Sequence, residues 1–453
     1  MWEFGNSILE GPKEDGFQTL NTAEYFSTIY DQVQDKKDAG FDTTLTDSWG
    51  RALSFQLINA TEGGPNFTIS SIRDQPGFST GDMPFPLWVA DSRSPGESLV
   101  PGNTSVFEFN PYEVGTWDPT TYGFVDTRFL GTNFSNGEIA ENESCVRGFD
   151  NAGYIMGTSS SLFNQFLLNI NSTSSSETLR TILGKLLTQI GNDNEDIASY
   201  KPNPFKNFDP TGKNLNADQD SLTLVDGGSD LQNIPLHPLI QPNRNVDVIF
   251  AVDSSADTPF NWPNGTAIVA TYQRAVESNG IANGTSFPAV PDQNTFVNLK
   301  LNTKPTFFGC DIKNTTHPTP LIVYIPNSPY VYFSNVSTFT MSYNNSERNA
   351  IIRNGYEVAT MGNASVDQNW PQCVGCAILS RSFQRTDPNN VPDVCSACFK
   401  QYCWDGTRNS DTPPEYNPTT RFAAVSVKDA GVMLGASKIM LGVSLLAAAV
   451  LYI

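Results

Sequence analysis

The 453-residue chain contains only two histidines, His237 and His317, and this scarcity limits the catalytic chemistry it can carry out. His237 lies among prolines and His317 lies in an Asn- and Thr-rich loop, so neither is a good candidate for the base of a Ser-His-Asp triad. The Gly-x-Ser-x-Gly elbow of serine hydrolases is absent from the sequence. Phosphate-binding P-loops and dinucleotide-binding glycine motifs are absent too, which argues against nucleotide enzymes.

Charged residues are also scarce, at 16% of the chain, and the acidic ones outnumber the basic ones to give a net charge of −20. A surface this acidic disfavours nucleic acid as a partner and has no general attraction to anionic membranes. The hydrophobic content of 39% is that of a globular protein.

Asparagine is abundant, and twelve N-x-Ser/Thr sequons without an intervening proline are spread along the chain. A single sequon is weak evidence, but twelve favour a secretory protein that carries N-linked glycans. The sequon asparagines are Asn59, Asn66, Asn103, Asn133, Asn142, Asn171, Asn264, Asn283, Asn314, Asn335, Asn344 and Asn363.

No apolar run reaches the roughly 20 residues that span a bilayer. The longest, 439–453, follows a small-residue cluster at Asp429-Ala430-Gly431 and a short spacer, an order typical of a glycosylphosphatidylinositol (GPI) attachment signal. An ordinary tail-anchor helix is the alternative. The first sixteen residues lack the basic and apolar regions of a signal peptide, so we expect part of the protein to precede Met1.

Four of the seven cysteines form two Cys-x-x-Cys pairs, Cys373/Cys376 and Cys395/Cys398. In a reducing compartment this spacing would predict a zinc site. The sequons and the tail indicate an oxidising compartment instead, where such cysteines form disulfides, and we therefore predict disulfides. The odd number implies one free thiol or a partner outside the chain.

Helical and strand patterns alternate along the chain, which predicts an α/β fold with a central sheet. Residues 84–130 read as short strands separated by tight turns. Helices are predicted at 17–36 (capped by Thr22), 41–58, 160–170, 175–190 and 266–280 (closed by Gly280), and 351–362 is predicted to be a helix or a helix and a strand. The predicted organisation is a catalytic domain over 1–405, a polar Pro-rich stretch over 406–428 and the attachment signal over 429–453.

Two apolar runs each stop at an aspartate, Leu-Thr-Leu-Val-Asp226 and Val-Ile-Phe-Ala-Val-Asp253, and Gly227 and Gly228 follow the first. A buried strand that ends in a carboxylate and a tight turn is one way in which α/β enzymes present an acid or base. Asp before Gly-Gly is also an ordinary turn sequence. The Gly157-to-Ser161 run is interpreted as an N-terminal cap for the following helix rather than a catalytic serine turn.

The block around Asp226 (residues 225–265) resembles the aspartate motif of the fungal lysophospholipase/phospholipase B family, which is similar to the catalytic domain of cytosolic phospholipase. Further stretches agree with the family over nearly the whole chain: DSWGRALSFQL (47–57), FPLWVADSR (85–93), FEFNPYEVGTWDP (107–119) and CVRGFDNAGYIMGTSSSLFN (145–164). The resemblance implies a patatin-like α/β fold and a Ser-Asp dyad that needs no histidine.

Within that dyad, Asp226 matches the aspartate that takes the proton of the serine. The resemblance also implies that Arg244 and Asp253 form a structural pair that fixes this loop. The family's Gly-Leu-Ser-Gly-Gly elbow and its oxyanion-hole glycines precede a segment that matches WEFGNSIL at residues 2–9. We therefore expect the nucleophile upstream of Met1 and an N-terminally truncated fold.

The expected function is hydrolysis of the fatty-acyl esters of lysophospholipids, and of diacyl phospholipids, by a secreted or cell-surface glycoprotein held to the membrane or cell wall by a lipid anchor. No cofactor or metal is expected. The alternative is a non-catalytic cell-surface glycoprotein, a pseudoenzyme or inactive fragment, with the same fold.

Overall fold

The structure of the protein is a computed structural model. It describes residues 8, 11, 22–95, 97, 104–162, 197–277, 280–282, 284–311, 319–338, 340, 342–387 and 390–425. The predicted helix at 175–190, nearly all of that at 160–170, His317 and the predicted attachment signal lie outside the described residues.

The first two helices confirm the sequence prediction: α1 is Thr22–Asp38 and α2 is Leu45–Leu57. Thr22 is the first residue of α1 rather than its cap. Before α2, Thr44 and Asp47 form a capping box in which the Asp47 carboxylate accepts the Thr44 N–H at 2.8 Å.

A six-stranded sheet forms the centre of the fold and confirms the strands predicted in residues 84–130. Its strands are β1 (Trp88–Ser92), β2 (Val106–Phe109), β3 (Glu113–Thr116), β4 (Gly123–Asp126), β7 (Ala198–Tyr200) and β8 (Leu222–Asp226), in the order β4-β3-β2-β1-β8-β7. Every neighbouring pair is antiparallel. A small hairpin, β5 (Phe134–Ser135) and β6 (Glu138–Ile139), follows β4.

Two helices pack beside this sheet because their backbones can approach closely. After the short α3 (Pro76–Ser79), α4 (Ala152–Thr158) crosses α2 at Gly50 and Gly153. A Cβ atom on Gly50 would lie 2.3 Å from the Gly153 carbonyl oxygen, so any larger side chain would force the helices apart. This packing fixes the end of α4 beside β8.

The second half of the chain forms a smaller sheet with its own core. Strands β9 (Val248–Asp253) and β11 (Leu321–Pro326) are parallel, and β10 (Thr306–Phe308) adds antiparallel to β11. Helices α5 (Leu236–Leu239), α6 (Thr266–Val276) and α7 (Gln293–Asn298) accompany them, and the core includes Ile268, Phe296 and Tyr324. Helix α6 ends at Val276, before the predicted Gly280.

Three helices, α8 (Asn345–Thr360), α9 (Trp370–Thr386) and α10 (Asp393–Tyr402), complete the described fold. Disulfides link α9 to α10 through Cys373–Cys398 and Cys376–Cys395, and Cys310–Cys403 joins α10 to the small sheet. The disulfide prediction is confirmed, and these four cysteines are not zinc ligands. Cys145 is the free, exposed thiol.

The Cys376–Cys395 disulfide joins residues that are 19 positions apart in the sequence. Replacing both cysteines by serine should lower the free energy of unfolding by about 2–4 kcal/mol, because the bond closes a loop of this size in the unfolded chain. Urea unfolding followed by circular dichroism measures the change. Cys145→Ser, at the exposed free thiol, is the matched control and should leave stability unchanged. Equal stability of the two variants would contradict the prediction.

The described part of the predicted polar stretch, up to Val425, runs without regular secondary structure along the small-sheet half. The N–H groups of Phe422 and Val425 donate to the carbonyls of Tyr330 and Val331, both at 2.8 Å. Among the described residues, no helix combines the length and apolar character required to cross a bilayer.

Candidate active site

Asp226 is the last residue of β8 and pairs with Ala90 of the neighbouring β1, near the middle of the six-stranded sheet. Its Oδ1 accepts the Gly228 N–H at 2.8 Å, and its Oδ2 lies 3.5 Å from the Leu162 N–H. Burial raises the pKa of the Asp226 carboxyl, and the two N–H groups offset part of this rise. Asp226 is nevertheless partly exposed at the end of the strand.

Gly227 is required by space. A Cβ atom on Gly227 would lie 2.6 Å from the Val89 carbonyl oxygen of β1, so no side chain fits there while the turn keeps its place against the sheet. A Cβ atom on Gly228 would lie 2.3 Å from Asn233 Oδ1, the end of a side chain that can move, so Gly228 is less constrained. The close turn expected from the sequence is therefore present.

The serine run after α4 contacts Asp226 and β1. Ser161 is buried, and its Oγ accepts the Asp226 backbone N–H at 2.8 Å. The Ser159 hydroxyl donates to the Val89 carbonyl at 2.7 Å. The helix that this run is predicted to cap lies almost entirely outside the described residues, so the N-cap interpretation stays a prediction; it did not include the contacts with β1 and β8. Only the spatial neighbourhood reveals them.

Two further carboxyl groups lie beside the site. Asp91 of β1 is fully buried and accepts the Asp230 N–H at 3.1 Å through Oδ2. Burial, reinforced by the charge of Asp230, raises the pKa of Asp91, and Asp226 contributes to the same rise. Burial also raises the pKa of Asp230, which hydrogen-bonds to Gln232. The raised pKa values favour the protonated form of these carboxyls at a pH where an ordinary Asp is ionised.

A buried charge cluster adjoins these carboxyls. Asp118 accepts hydrogen bonds from Arg274 of α6 at 2.5 Å and from the Val106 N–H at 2.8 Å. His237 Nε2 lies 3.3 Å from the other carboxylate oxygen, so His237 is packed inside the protein. Burial alone would raise the pKa of Asp118, but His237, Arg274 and the Val106 N–H together lower it to about 2.

The predicted pair between Arg244 and Asp253 is wrong. Arg244 forms an ion pair with Glu108 of β2 and lies over the Trp117 ring, 5.5 Å from its centroid. Asp253 accepts the Tyr324 hydroxyl at 2.7 Å and the Ser255 N–H at 3.0 Å. Both residues therefore have structural roles, but with different partners: Arg244 contacts β2, and Asp253 contacts β11 and the turn after β9.

The position of Asp226 allows general acid-base chemistry. A carboxylate of raised pKa stands at the end of β8, beside two backbone N–H donors, and the histidine nearest in sequence lies 3.3 Å from Asp118 instead. Such a group can take and return a proton, as an enzyme of acyl-ester chemistry without a histidine base requires. The described residues hold no cluster of three or more His, Cys, Asp or Glu side chains suited to a metal ion.

The chain belongs to the lysophospholipase catalytic domain family, whose profile matches residues 1–409. Lysophospholipase 1 of Aspergillus fumigatus is 60% identical over 420 residues, and the match covers 93% of this chain and 66% of the relative. A lysophospholipase of Arthroderma benhamiae is 58% identical over 437 residues, with 96% and 68% covered. The chain thus spans about two thirds of the length of these relatives.

Among solved structures, human GIVD cytosolic phospholipase A2 is similar with a TM-score of 0.52 and 18% identity, over 77% of this chain and 47% of that one. At this identity the likeness concerns the fold alone. It confirms the expected mixed α/β fold of the cytosolic-phospholipase catalytic domain, with its curled central sheet.

Proposed function

We propose that the protein hydrolyses the fatty-acyl esters of lysophospholipids, and of diacyl phospholipids, with Asp226 as the general base of a Ser-Asp dyad. Membership of the lysophospholipase family and the names of its relatives support the reaction. The observation that carries the role of Asp226 is its placement: a partly exposed carboxylate of raised pKa, held at a strand end by backbone N–H groups.

In the proposed reaction, a serine hydroxyl attacks the ester carbonyl carbon while its proton passes to Asp226. The C–O bond to the glycerol then breaks, and the proton moves from Asp226 to the departing oxygen. Water next attacks the acyl-serine, Asp226 takes the proton of that water, and the serine oxygen leaves and is protonated again, which releases the fatty acid. No cofactor takes part in this sequence.

The nucleophile is proposed to be a serine of the complete protein. Among the described residues, no serine hydroxyl donates to the Asp226 carboxylate, whose contacts are backbone N–H groups. Ser161 instead holds the Asp226 main chain. The carboxylate therefore retains accepting capacity for a hydroxyl proton.

We also propose that the protein is a secreted, glycosylated protein of the cell surface, anchored through a GPI signal in residues 429–453. Three disulfides fit an oxidising compartment. Five of the eight sequon asparagines that the structure describes are exposed: Asn59, Asn66, Asn133, Asn142 and Asn363. Exposed asparagines are accessible for glycosylation.

Fatty-acid release from lysophosphatidylcholine by the protein expressed from its complete gene tests the proposed activity. We expect turnover that titrates with enzyme concentration and forms a covalent adduct with a fluorophosphonate ester probe, since such probes react with activated serines. A correctly folded, disulfide-bonded protein with neither turnover nor labelling would favour the non-catalytic glycoprotein.

A further inference from the structure

Three aromatic side chains form an exposed cluster, here called the aromatic patch: Phe78 of α3, Phe85 before β1, and Tyr112 in the turn between β2 and β3. Phe85 and Tyr112 are stacked with ring centroids 6.1 Å apart, and Phe78 lies 5.9 Å from Phe85 and 6.1 Å from Tyr112. Phe85 and Tyr112 are each 48% exposed, and Met83 beside them is 41% exposed. Clustered exposed rings of this kind mark an interaction surface.

Strand register places the patch at the edge of the sheet where Asp226 lies. Asp226 pairs with Ala90, and β8 runs antiparallel to β1, so the start of β1 and the end of β8 share one edge. Trp88 pairs with Phe109, so the end of β2 shares that edge too. Phe85 precedes Trp88 in the chain, and Tyr112 follows Phe109. Both residues therefore lie just beyond the strand ends, at the same edge of the sheet as Asp226.

Apolar side chains are exposed at Asp226 itself. Leu162, whose N–H faces the Asp226 carboxylate, is 37% exposed, and Leu231, five residues after Asp226, is 58% exposed. Leu231 also has a positive φ of 73°, a conformation that a leucine seldom adopts. The sheet edge thus presents apolar groups both at the carboxylate and at the patch.

The charges around the patch favour an uncharged surface as its partner. Arg73 pairs with Asp126 at 3.3 Å and lies over the Tyr112 ring, and Arg128 pairs with Asp74 at 2.8 Å. Counting Asp82, the charged residues around the patch are two arginines and three aspartates, so there is no excess of positive charge to attract anionic lipid. The net charge of −20 would further oppose an anionic surface.

We propose that the aromatic patch is the surface by which the protein docks on aggregated zwitterionic phospholipid. Exposed aromatic rings insert well at the boundary between lipid head groups and acyl chains. Docking there sets the Asp226 edge of the sheet against the lipid from which substrate is drawn. This inference rests on the proposed function for its biological meaning, but its test does not require catalysis.

Cosedimentation with vesicles of diether phosphatidylcholine, whose chains cannot be hydrolysed, measures docking directly. The wild-type protein should bind, and Phe85→Ser/Tyr112→Ser should weaken partitioning by at least on the order of tenfold, since two half-exposed rings lose their burial in lipid. Phe333→Ser/Tyr356→Ser is the matched control, because these rings are 49% and 55% exposed elsewhere. It should bind like the wild type. Phosphatidylserine vesicles should not be bound more tightly.

The proposal is overturned if the wild type does not bind the diether vesicles or if the patch variant binds them within twofold of the wild type. It is also overturned if the control double variant loses as much binding as the patch variant. A wild-type dimer that becomes monomeric in the patch variant would assign the patch to a second copy instead. If the double variant fails to fold, Met83→Ser should still weaken binding measurably, and unchanged binding would count against the proposal. Loss of the proposed catalytic role of Asp226 would leave all these binding results unaffected.

Discussion

Replacing Asp226 by asparagine is expected to lower kcat for lysophosphatidylcholine by about 10²–10⁴-fold, the usual contribution of a general acid-base group. Asparagine keeps the shape of the side chain and an oxygen that can accept the Gly228 N–H. It cannot take the proton of a hydroxyl or a water. Initial rates of fatty-acid release, measured on protein from the complete gene, give the change.

The fold should tolerate this substitution. Burial raises the pKa of Asp226 in the folded state, so the folded protein binds the proton more tightly and its stability falls as pH rises above the unfolded value of about 3.9. A neutral asparagine avoids that loss, so the melting temperature at pH 7 should equal or exceed that of the wild type. A kcat above a tenth of the wild-type value in a stable variant would contradict the role of Asp226 as base.

The pH profile supplies a second measurement of the same role. Below its pKa Asp226 carries a proton and cannot accept another, so kcat/KM should fall as pH decreases through the raised pKa of Asp226. This acidic limb of the kcat/KM profile should therefore lie above the ordinary Asp range, and it should vanish in the residual activity of Asp226→Asn.

Ser161→Ala, which removes the acceptor for the Asp226 N–H, should lower kcat more than it changes KM.

The position of Asp226 could be predicted because the signals that define it are local. An apolar run of strand length ends at the carboxylate, and two glycines follow; at the first, Gly227, the backbone of β1 leaves no room for a side chain. The strands of residues 84–130 were readable for the same reason, since proline and glycine bound each of them.

Partners that are distant in sequence could not be predicted in this way. Arg244 lies 136 residues from Glu108, and no spacing rule indicates that it pairs there rather than with Asp253. The contact of Ser161 with the Asp226 N–H arises because α4 is fixed by glycine contacts with α2. The antiparallel strand order likewise depends on which strands meet in three dimensions, and periodicity reports only their faces.

The second large effect concerns the buried cluster of Asp118, His237 and Arg274. Arg274→Met should lower the free energy of unfolding by about 3–5 kcal/mol, because removing one partner of a buried ion pair leaves the other charge uncompensated. Arg274 and Asp118 are both buried, and Arg274 also donates to the Thr104 carbonyl at 2.7 Å. Urea unfolding at pH 7 measures the loss.

The surface pair of Arg385 and Asp247 provides the matched control. Arg385 Nη1 lies 2.5 Å from Asp247, but the Arg385 side chain is 58% exposed. Solvent screens such pairs, so Arg385→Met should lower the stability far less than Arg274→Met does. The Asp118→Asn/Arg274→Met double variant, which removes both charges, should recover part of the stability that Arg274→Met loses.

The dependence on pH separates charge from packing in this experiment. The pKa of Asp118 is lowered to about 2 in the folded protein, below its unfolded value of about 3.9. Its stabilisation is therefore fully present above pH 4 and is lost as pH falls towards 2. In Arg274→Met only His237 still faces Asp118 as a possible cation, so the loss of stability between pH 4 and 2 should become smaller. If Arg274→Met costs no more than Arg385→Met, or leaves this acid loss unchanged, the cluster joins the two halves of the fold by packing and not by charge.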